Sequence, residues 1–390
     1  MNKSQKEGAP AKVVICCGDS AGHVYPGIAL AEALRDKRMA AADITFLISR
    51  CGLPRDILKK EGFTFYILPI PCAAELSGRA SNLLREFTRI VPVRMAWGVI
   101  RSYMDSLKIL SRVRPDVLAG FGSSVALGPF LAAKTLGIPV VIHEQNVVMG
   151  KANAIMGLFA DKVAFSFPGL GPGRKNKWIL TGNPIRKNFC QRVPKREARK
   201  RLRLDEGGIT ILVMGGSQGA RTINKAFIEM LSVHRSSFEG RAQFIHITGY
   251  KDFEEVVSFY QKGAYSAKVF AYAEDMAALY NASDIAVSRA GSSSICELAS
   301  AGVASILIPY PYAGNHQLLN AEFLNRKEAC FVIPENELTR ERFYDNLMEL
   351  LEAETLRKRI VSNMKVPYGI GAGARLAEVV AETAKTAGER

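Results

Sequence analysis

Cysteine is sparse and without pattern. Seven residues, Cys16, Cys17, Cys51, Cys72, Cys190, Cys296 and Cys330, are scattered with no Cys-x-x-Cys among them. That argues against a disulfide framework and a zinc site, and predicts reduced, buried thiols in a cytosolic protein. Every long apolar run is broken by charge or proline before the roughly 20 residues a membrane span needs. The segment Met1 to Ala11 is polar and has no apolar core, so no secretory signal is expected. Acidic residues are outnumbered, 37 Asp and Glu against 52 Lys and Arg, for a formal net charge of +15. Such an excess predicts an anionic partner: nucleic acid, an acidic membrane surface or a phosphorylated substrate. No Gly-Lys-Ser/Thr follows either glycine turn of the chain, which excludes a P-loop. Neither turn has the full Gly-x-Gly-x-x-Gly of a nicotinamide or flavin fold.

What is present is a repeated strand–turn–helix pattern. Apolar runs at Lys12–Cys17, Ile44–Ile48, Thr64–Leu68, Pro115–Gly120 and Pro139–Glu144 predict strands, with helices at Pro26–Leu34 and Ala126–Leu136. The pattern restarts after residue 205 with strands at Ile209–Val213, Gln243–Thr248, Ala267–Ala271, Ile285–Ser288 and Ala304–Pro309. Strands alternating with helices imply parallel pairing. At 390 residues, two doubly wound α/β domains are expected: 1–185, and 186–371 with a helix at 372–385 that is able to cross back. Between them Arg186 to Arg203 holds nine Lys or Arg against one Glu, a segment expected to be a solvated hinge and first helix.

Ligands of open α/β sheets bind at the carboxyl ends of the strands, so the loops there are the candidates. They are Gly18–His23, His143–Asn146, Thr181–Arg186, Gly215–Arg221 and Ser288–Glu297. Glycine turns that open helices leave free amides for an anion, aided by about half a positive charge from the helix dipole. In the last loop Ser292, Ser293 and Ser294 start a helix and Glu297 follows, a pattern that suits phosphate beside ribose hydroxyls. The alternative is that the serines merely cap the helix and Glu297 is solvated. The chain has five histidines, and His23 at a helix start beside a glycine turn suits a general base.

Seven segments in one order resemble the MurG family of GT-B glycosyltransferases. They are Gly22-His23-Val24-Tyr25-Pro26-Gly27, His143-Glu144-Gln145-Asn146, Gly182-Asn183-Pro184-Ile185-Arg186, Gly215-Gly216-Ser217-Gln218-Gly219-Ala220-Arg221, Asp275-Met276, Arg289-Ala290-Gly291 with Glu297, and His316-Gln317 with Asn320-Ala321. The resemblance implies the GT-B fold: two Rossmann-like domains with doubly wound parallel sheets, facing across a cleft. It also implies inverting transfer of N-acetylglucosamine from UDP-N-acetylglucosamine to the muramyl C4 hydroxyl of undecaprenyl-linked lipid I. No cofactor and no metal are implied, in keeping with the lack of an Asp-x-Asp motif. The family pattern gives His23 the role of base. It places Arg186, Gly216, Ser217, Gln218, Ala273, Met276, Gly291, Ser292, Ser293, Ser294, Ile295, Cys296, Glu297, Gln317 and Asn320 on the donor. Ser20, Ala21, Gly22, Glu144 and Asn146 face the acceptor or the transferred sugar. The chain departs from the family's Gly-Gly-Thr-Gly-Gly-His at Asp19, Ser20 and Ala21, has Ser124 where tyrosine is common, and is serine-rich at Ser292 to Ser294.

A lipid-linked acceptor implies contact with an acidic membrane surface and a peripheral location on the cytoplasmic face of a bacterial membrane. Arg79 to Arg114 holds eight Lys or Arg, two acids and interleaved apolar residues such as Trp97, Ile100 and Tyr103, which suits such a contact. The same stretch equally suits a helix packed on the sheet with a solvated basic face. Two rival readings of the whole chain are another GT-B UDP-sugar glycosyltransferase or epimerase, and a non-catalytic nucleic-acid-binding protein. No basic and aromatic pattern for an exposed sheet face supports the latter, and nucleic acid is not an expected partner.

Overall fold

A computed structural model describes residues 11–36, 43–50, 52–70, 84–170, 176–191, 193–216, 219–312, 314–367 and 369–388. Ser217, Gln218, Cys51, Cys72, the start of the basic stretch at Arg79 and nearly all of the Met1–Ala11 segment lie outside the described residues. The chain divides into two units, one of residues 1–145, 149–186 and 371–390, the other of 146–148 and 187–370.

The first unit carries strands β1 (Lys12–Cys16), β2 (Asp43–Ile48), β3 (Thr64–Ile67), β4 (Val117–Gly120), β5 (Val140–Glu144), β6 (Lys162–Phe165) and β7 (Trp178–Leu180). They form one sheet in the order β3-β2-β1-β4-β5-β6-β7, with every pairing parallel. The near-continuous apolar character of β1 follows from helices covering both faces. Val13 and Ile15 point into one core with Phe46, while Val14 and Cys16 point into the other with Leu47. The carboxyl-terminal helix Ala372–Gly388 belongs to the first unit. Its Leu376, Ala377 and Val380 complete the core on the β1 face, and Gly373 meets the helix Ala21–Asp36 at the Ala29 carbonyl.

The second unit carries β8 (Ile209–Met214), β9 (Ala242–Ile247), β10 (Ala267–Phe270), β11 (Ile285–Ser288), β12 (Ala304–Leu307) and β13 (Phe331–Val332). Its order is β10-β9-β8-β11-β12-β13, again all parallel. Both sheets therefore share the doubly wound order in which the winding reverses beside the first strand, between β1 and β4 and between β8 and β11.

The basic stretch after Arg186 is less solvated than its composition predicts. Arg199 is buried in the helix Lys195–Arg201, donates to the carbonyls of Ala282 (3.0 Å) and Glu206 (2.9 Å), and pairs with Asp284. Lys195 lies 2.7 Å from the same carboxylate, which also accepts from the Thr210 amide at 2.9 Å. Asp284 precedes β11, so these charges pin the helix to the amino-terminal edge of the sheet, opposite the candidate loops. Cys16, Cys17, Cys296 and Cys330 are buried free thiols. No helix among the described residues is long and apolar enough to cross a membrane.

Candidate active site

In the second unit the reversal point is built from the ends of β8 and β11. After β8 the chain turns through Gly215 and Gly216 and enters the helix Arg221–Val233 from Gly219 and Ala220. Two glycines are required by space. A Cβ on Gly215 would lie 2.2 Å from the Ala220 amide nitrogen, and one on Gly219 would lie 2.2 Å from the Thr248 carbonyl oxygen. Gly216 has open space but a φ of +86°, which glycine adopts without the cost other residues bear. A buried network fixes the loop from beneath. Asn224 donates to the Thr248 carbonyl and the Asp252 carboxylate, both at 2.8 Å, and His246 bridges Asn224 (3.1 Å) and Tyr260 (3.2 Å).

After β11 the helix Ser292–Ala301 begins at Gly291, which caps it without a side-chain hydrogen bond. The serines lie inside the first turn, so they are not the cap that their composition allows. The amides of Ser292, Ser293 and Ser294 precede the first helical bond, from the Ile295 amide to the Gly291 carbonyl at 3.0 Å. The side chains of Ile295 and Cys296 are in the core, and Ser292 is buried with them. Glu297 is buried as well, not solvated, and its Oε2 lies 3.2 Å from the Tyr280 hydroxyl. Tyr280 sits in the helix Met276–Ala282, which starts from an Asp275 cap just after Ala273. Asn320 is fully buried. It donates to the Ala290 carbonyl (3.2 Å) and the Asn146 side chain (3.1 Å), and accepts from the Val147 amide (2.9 Å), residues that group with this unit. Gln317 accepts from the Tyr310 amide at 3.0 Å.

Arg289, quoted in a sequence motif without a role, is the hub that joins these loops. It is buried, donates to the Ile308 carbonyl at 3.2 Å and pairs with Glu335. Glu335 also accepts from the Thr222 hydroxyl at 3.1 Å. The ion pair thus ties the segments after β11 and β13, and its hydrogen bonds reach those after β8 and β12. The separation in sequence of Arg289, Glu335 and Thr222 gave no signal of it.

In the first unit the reversal point lies at the ends of β1 and β4. The helix opens at Ala21, earlier than the Pro26 start expected, and Pro26 falls inside it. Having no N–H, Pro26 cannot make the helical bond to the Gly22 carbonyl. His23 is therefore in the first turn. Its Nδ1 is 2.8 Å from Ser20 Oγ. Gly18 has to be glycine, since a Cβ there would lie 2.6 Å from Ser123 Cβ and 3.0 Å from His23 Nδ1. Ser123, in the turn after β4, itself holds a φ of +69°, a strained value for serine. His23 is half-buried, and burial lowers its pKa below the usual value against the raising effect of the Glu144 and Asp19 carboxylates. The ring is held neutral. When Nδ1 carries the proton and donates to Ser20, Nε2 keeps the lone pair of a base.

The remaining first-unit candidates have the following partners. Glu144 accepts from the Gly150 amide (3.0 Å) and Asn153 (2.8 Å), which fixes the entry to the helix Lys151–Phe159. His143 is buried, donates from Nε2 to the Gly182 carbonyl at 3.0 Å and accepts from Gln145 at 3.3 Å. Arg186 groups with the first unit, with its guanidinium 3.9 Å from the centre of the Tyr25 ring.

Two of the buried histidines set an acid limit on stability. Burial pushes His143 down to about 4 and His246 down to about 3. The unfolded chain binds these protons near pH 6.5, and the native state resists them. Stability is therefore full above pH 6.5 and falls as pH drops towards 4, by about 1.4 kcal/mol per pH unit for each histidine. Urea midpoints measured from pH 7 to pH 4 should fall accordingly, with His246→Gln flattening part of the slope.

Sequence comparison decides the family. The glycosyltransferase family 28 amino-terminal domain matches residues 13–165, and the glycosyltransferase family 28 carboxyl-terminal domain matches 210–366. A Thermodesulfovibrio yellowstonii protein is 36% identical over 90% of this chain and 92% of its own. It is named a UDP-N-acetylglucosamine–N-acetylmuramyl-(pentapeptide) pyrophosphoryl-undecaprenol N-acetylglucosamine transferase. The chain belongs to the MurG family of glycosyltransferases. A Syntrophus aciditrophicus protein of the same name is 35% identical over 89% of this chain and 91% of its own. The crystal structure of Acinetobacter baumannii MurG superposes with a TM-score of 0.71 at 24% identity, over 96% of this chain and all of that one. The fold of this MurG-family chain is accordingly GT-B, two Rossmann-like units with doubly wound parallel sheets, and it is a glycosyltransferase enzyme of the hexosyl-transferring class.

Proposed function

We propose that the protein transfers N-acetylglucosamine from UDP-N-acetylglucosamine to the C4 hydroxyl of the muramyl sugar of undecaprenyl-linked lipid I, with inversion at the anomeric carbon. The observation that carries this reading is the relationship, over nine-tenths of the chain, to relatives named for transfer of this sugar. The local chemistry agrees with it. In the second unit, the amides of Ser292 to Ser294 and the turn around Gly216 receive the diphosphate, and Glu297 accepts from the ribose hydroxyls. Ser217 and Gln218 belong to that turn in sequence, and Ala273 and Met276 read the base. Gln317 and Asn320 serve the sugar. As the bond to UDP breaks, negative charge grows on the phosphate, where preorganised amides, with Arg186, stabilise it without reorganising. In the first unit, His23 takes the C4 proton as the oxygen attacks, and Ser20, Ala21 and Gly22 line the acceptor beside it. The test is acceptor-dependent UDP release. Release should require both UDP-N-acetylglucosamine and a lipid I analogue, and equal release without the analogue would overturn the assignment.

The acceptor is a membrane lipid, and the first unit offers a surface suited to it. The helix Leu84–Val113 packs on the helix Leu127–Thr135 at Gly128, where a Cβ would lie 2.4 Å from Ser102 Oγ. That contact buries Ser102, Ser106 and Leu110 and leaves Trp97, Ile100 and Met104 exposed. The helix Lys151–Phe159 packs on the other side of Leu127–Thr135 and exposes Leu158 and Phe159. Arg101, Lys108 and Lys151 are exposed on the same helices. Apolar side chains among cations suit a monotopic contact with an acidic leaflet, in which each cation contributes about 1 kcal/mol. The protein should therefore sediment with vesicles containing acidic phospholipid at low salt and be released by high salt. Leu158→Glu with Phe159→Glu should weaken sedimentation and leave UDP binding unchanged. Equal sedimentation of this variant would remove the surface from the account.

A further inference from the structure

We propose that Tyr280 is a positioning residue for the donor: its hydroxyl holds the Glu297 carboxylate in the orientation that receives the ribose hydroxyls of a uridine diphosphate. The inference rests on the reading of Glu297 as the ribose acceptor and adds the device that aims it.

Tyr280 is among the largest fully buried side chains, and its ring is held against Phe189 with centroids 5.7 Å apart. A buried phenol has to place its proton on an acceptor, because leaving it unpaired would cost more than the hydrogen bond yields. Among the described residues two acceptors lie in reach, Glu297 Oε2 at 3.2 Å and the Met214 thioether at 3.4 Å. Sulfur is a weak acceptor and a carboxylate a strong, charged one, so the proton goes to Glu297. Phenylalanine would fill the same space with nothing to satisfy, which marks the hydroxyl as present for its partner.

The consequence lies in the geometry of Glu297. A glutamate has three rotatable bonds, and a flexible carboxylate loses entropy when a ligand orders it. The Tyr280 bond fixes one oxygen and with it the plane of the group before any ligand arrives. Tyr280 also stands in the helix that begins at Met276, directly after the Ala273 segment assigned to the base. The base-reading segment and the ribose-reading carboxylate are thereby set by one short helix, so base and sugar are read in a fixed relation.

The test is titration of the full-length protein with UDP, 2′-deoxy-UDP and 3′-deoxy-UDP, with thermal melting as a control. The wild type should prefer UDP over at least one deoxy analogue, and Glu297→Gln should abolish that preference. Tyr280→Phe should cut the preference by about 3- to 10-fold, the range for the net worth of one ordinary hydrogen bond, because it disorders the carboxylate without removing it. The double variant should discriminate no less than Glu297→Gln alone. Met214→Leu, which removes the competing acceptor and keeps the volume, should discriminate as the wild type does. A Tyr280→Phe protein that loses affinity equally for all three nucleotides, or discriminates as the wild type does, overturns the proposal. So does loss of discrimination in Met214→Leu. Full discrimination in Glu297→Gln overturns the ribose reading itself, a different result from failure of Tyr280 alone.

Discussion

His23→Ala should lower turnover by about 100- to 10,000-fold, the usual contribution of a positioned general base, while UDP binding stays as it is. The acceptor hydroxyl is a weak nucleophile until its proton is taken. The first-unit turn offers an imidazole held neutral by burial and oriented by Ser20 at 2.8 Å. UDP affinity is the informative control, because the groups proposed to bind the donor do not include His23. The pH profile adds a sign. A base works deprotonated, and His23 has its pKa lowered from 6.5. Turnover should therefore hold steady as pH falls through 6.5 and decline only below it. An acid limb centred above pH 6.5, or wild-type turnover in His23→Ala, would exclude His23 as the base. Ser20→Ala should have a smaller effect, since it frees the ring to turn without removing the lone pair.

Gly219→Ala should be the most damaging single substitution in the donor loop. Its Cβ would lie 2.2 Å from the Thr248 carbonyl oxygen, and its φ of +73° strains any residue with a side chain. Thr248 cannot yield readily, because its carbonyl is held by Asn224 in a buried network that includes His246, Tyr260 and Asp252. The strain alone is worth about 1–3 kcal/mol, and relief by moving the turn displaces the amides proposed to bind diphosphate. UDP affinity should fall by at least about tenfold, or about 1.4 kcal/mol. Gly216→Ala is the matched comparison: similar φ, open space, and so only the conformational cost of about 1–2 kcal/mol. Urea denaturation and UDP titration of the two variants separate steric from conformational effects. Equal behaviour of both would refute the close-packing argument.

The sequence revealed the sheets more readily than the side-chain roles. Strands buried on both faces, such as Ile209–Met214, announce themselves as unbroken apolar runs. The strand Lys162–Phe165 and the edge strands Trp178–Leu180 and Phe331–Val332 are four, three and two residues long and carry no such signal. Proline suggested a helix start at Pro26, because proline is favoured in a first turn. The helix instead begins at Ala21, and that shift moves His23 from a loop to a helical turn. Glycine loops were legible because glycine has few other reasons to cluster. Their partners were not: Thr248 meets Gly219 through folding alone, and Tyr280 and Glu297 are paired only because two helices pack. Charge misled most. Arg199 was expected among solvated cations and is a buried strut, and Glu144 accepts from the Gly150 amide and Asn153 across a turn that its motif did not announce. Composition counts charges without saying which of them the fold consumes.

The most direct measurement of the central claim is the structure of the product. Purified protein is incubated with UDP-N-acetylglucosamine and a lipid I analogue, and the product is analysed by mass spectrometry and by NMR of its anomeric proton. One added N-acetylglucosamine is expected on the muramyl C4 oxygen with a β anomeric coupling, opposite to the α-linked donor, and no such product from His23→Ala. A retained α linkage, attachment at another hydroxyl, or conversion of the donor sugar without any acceptor would contradict it.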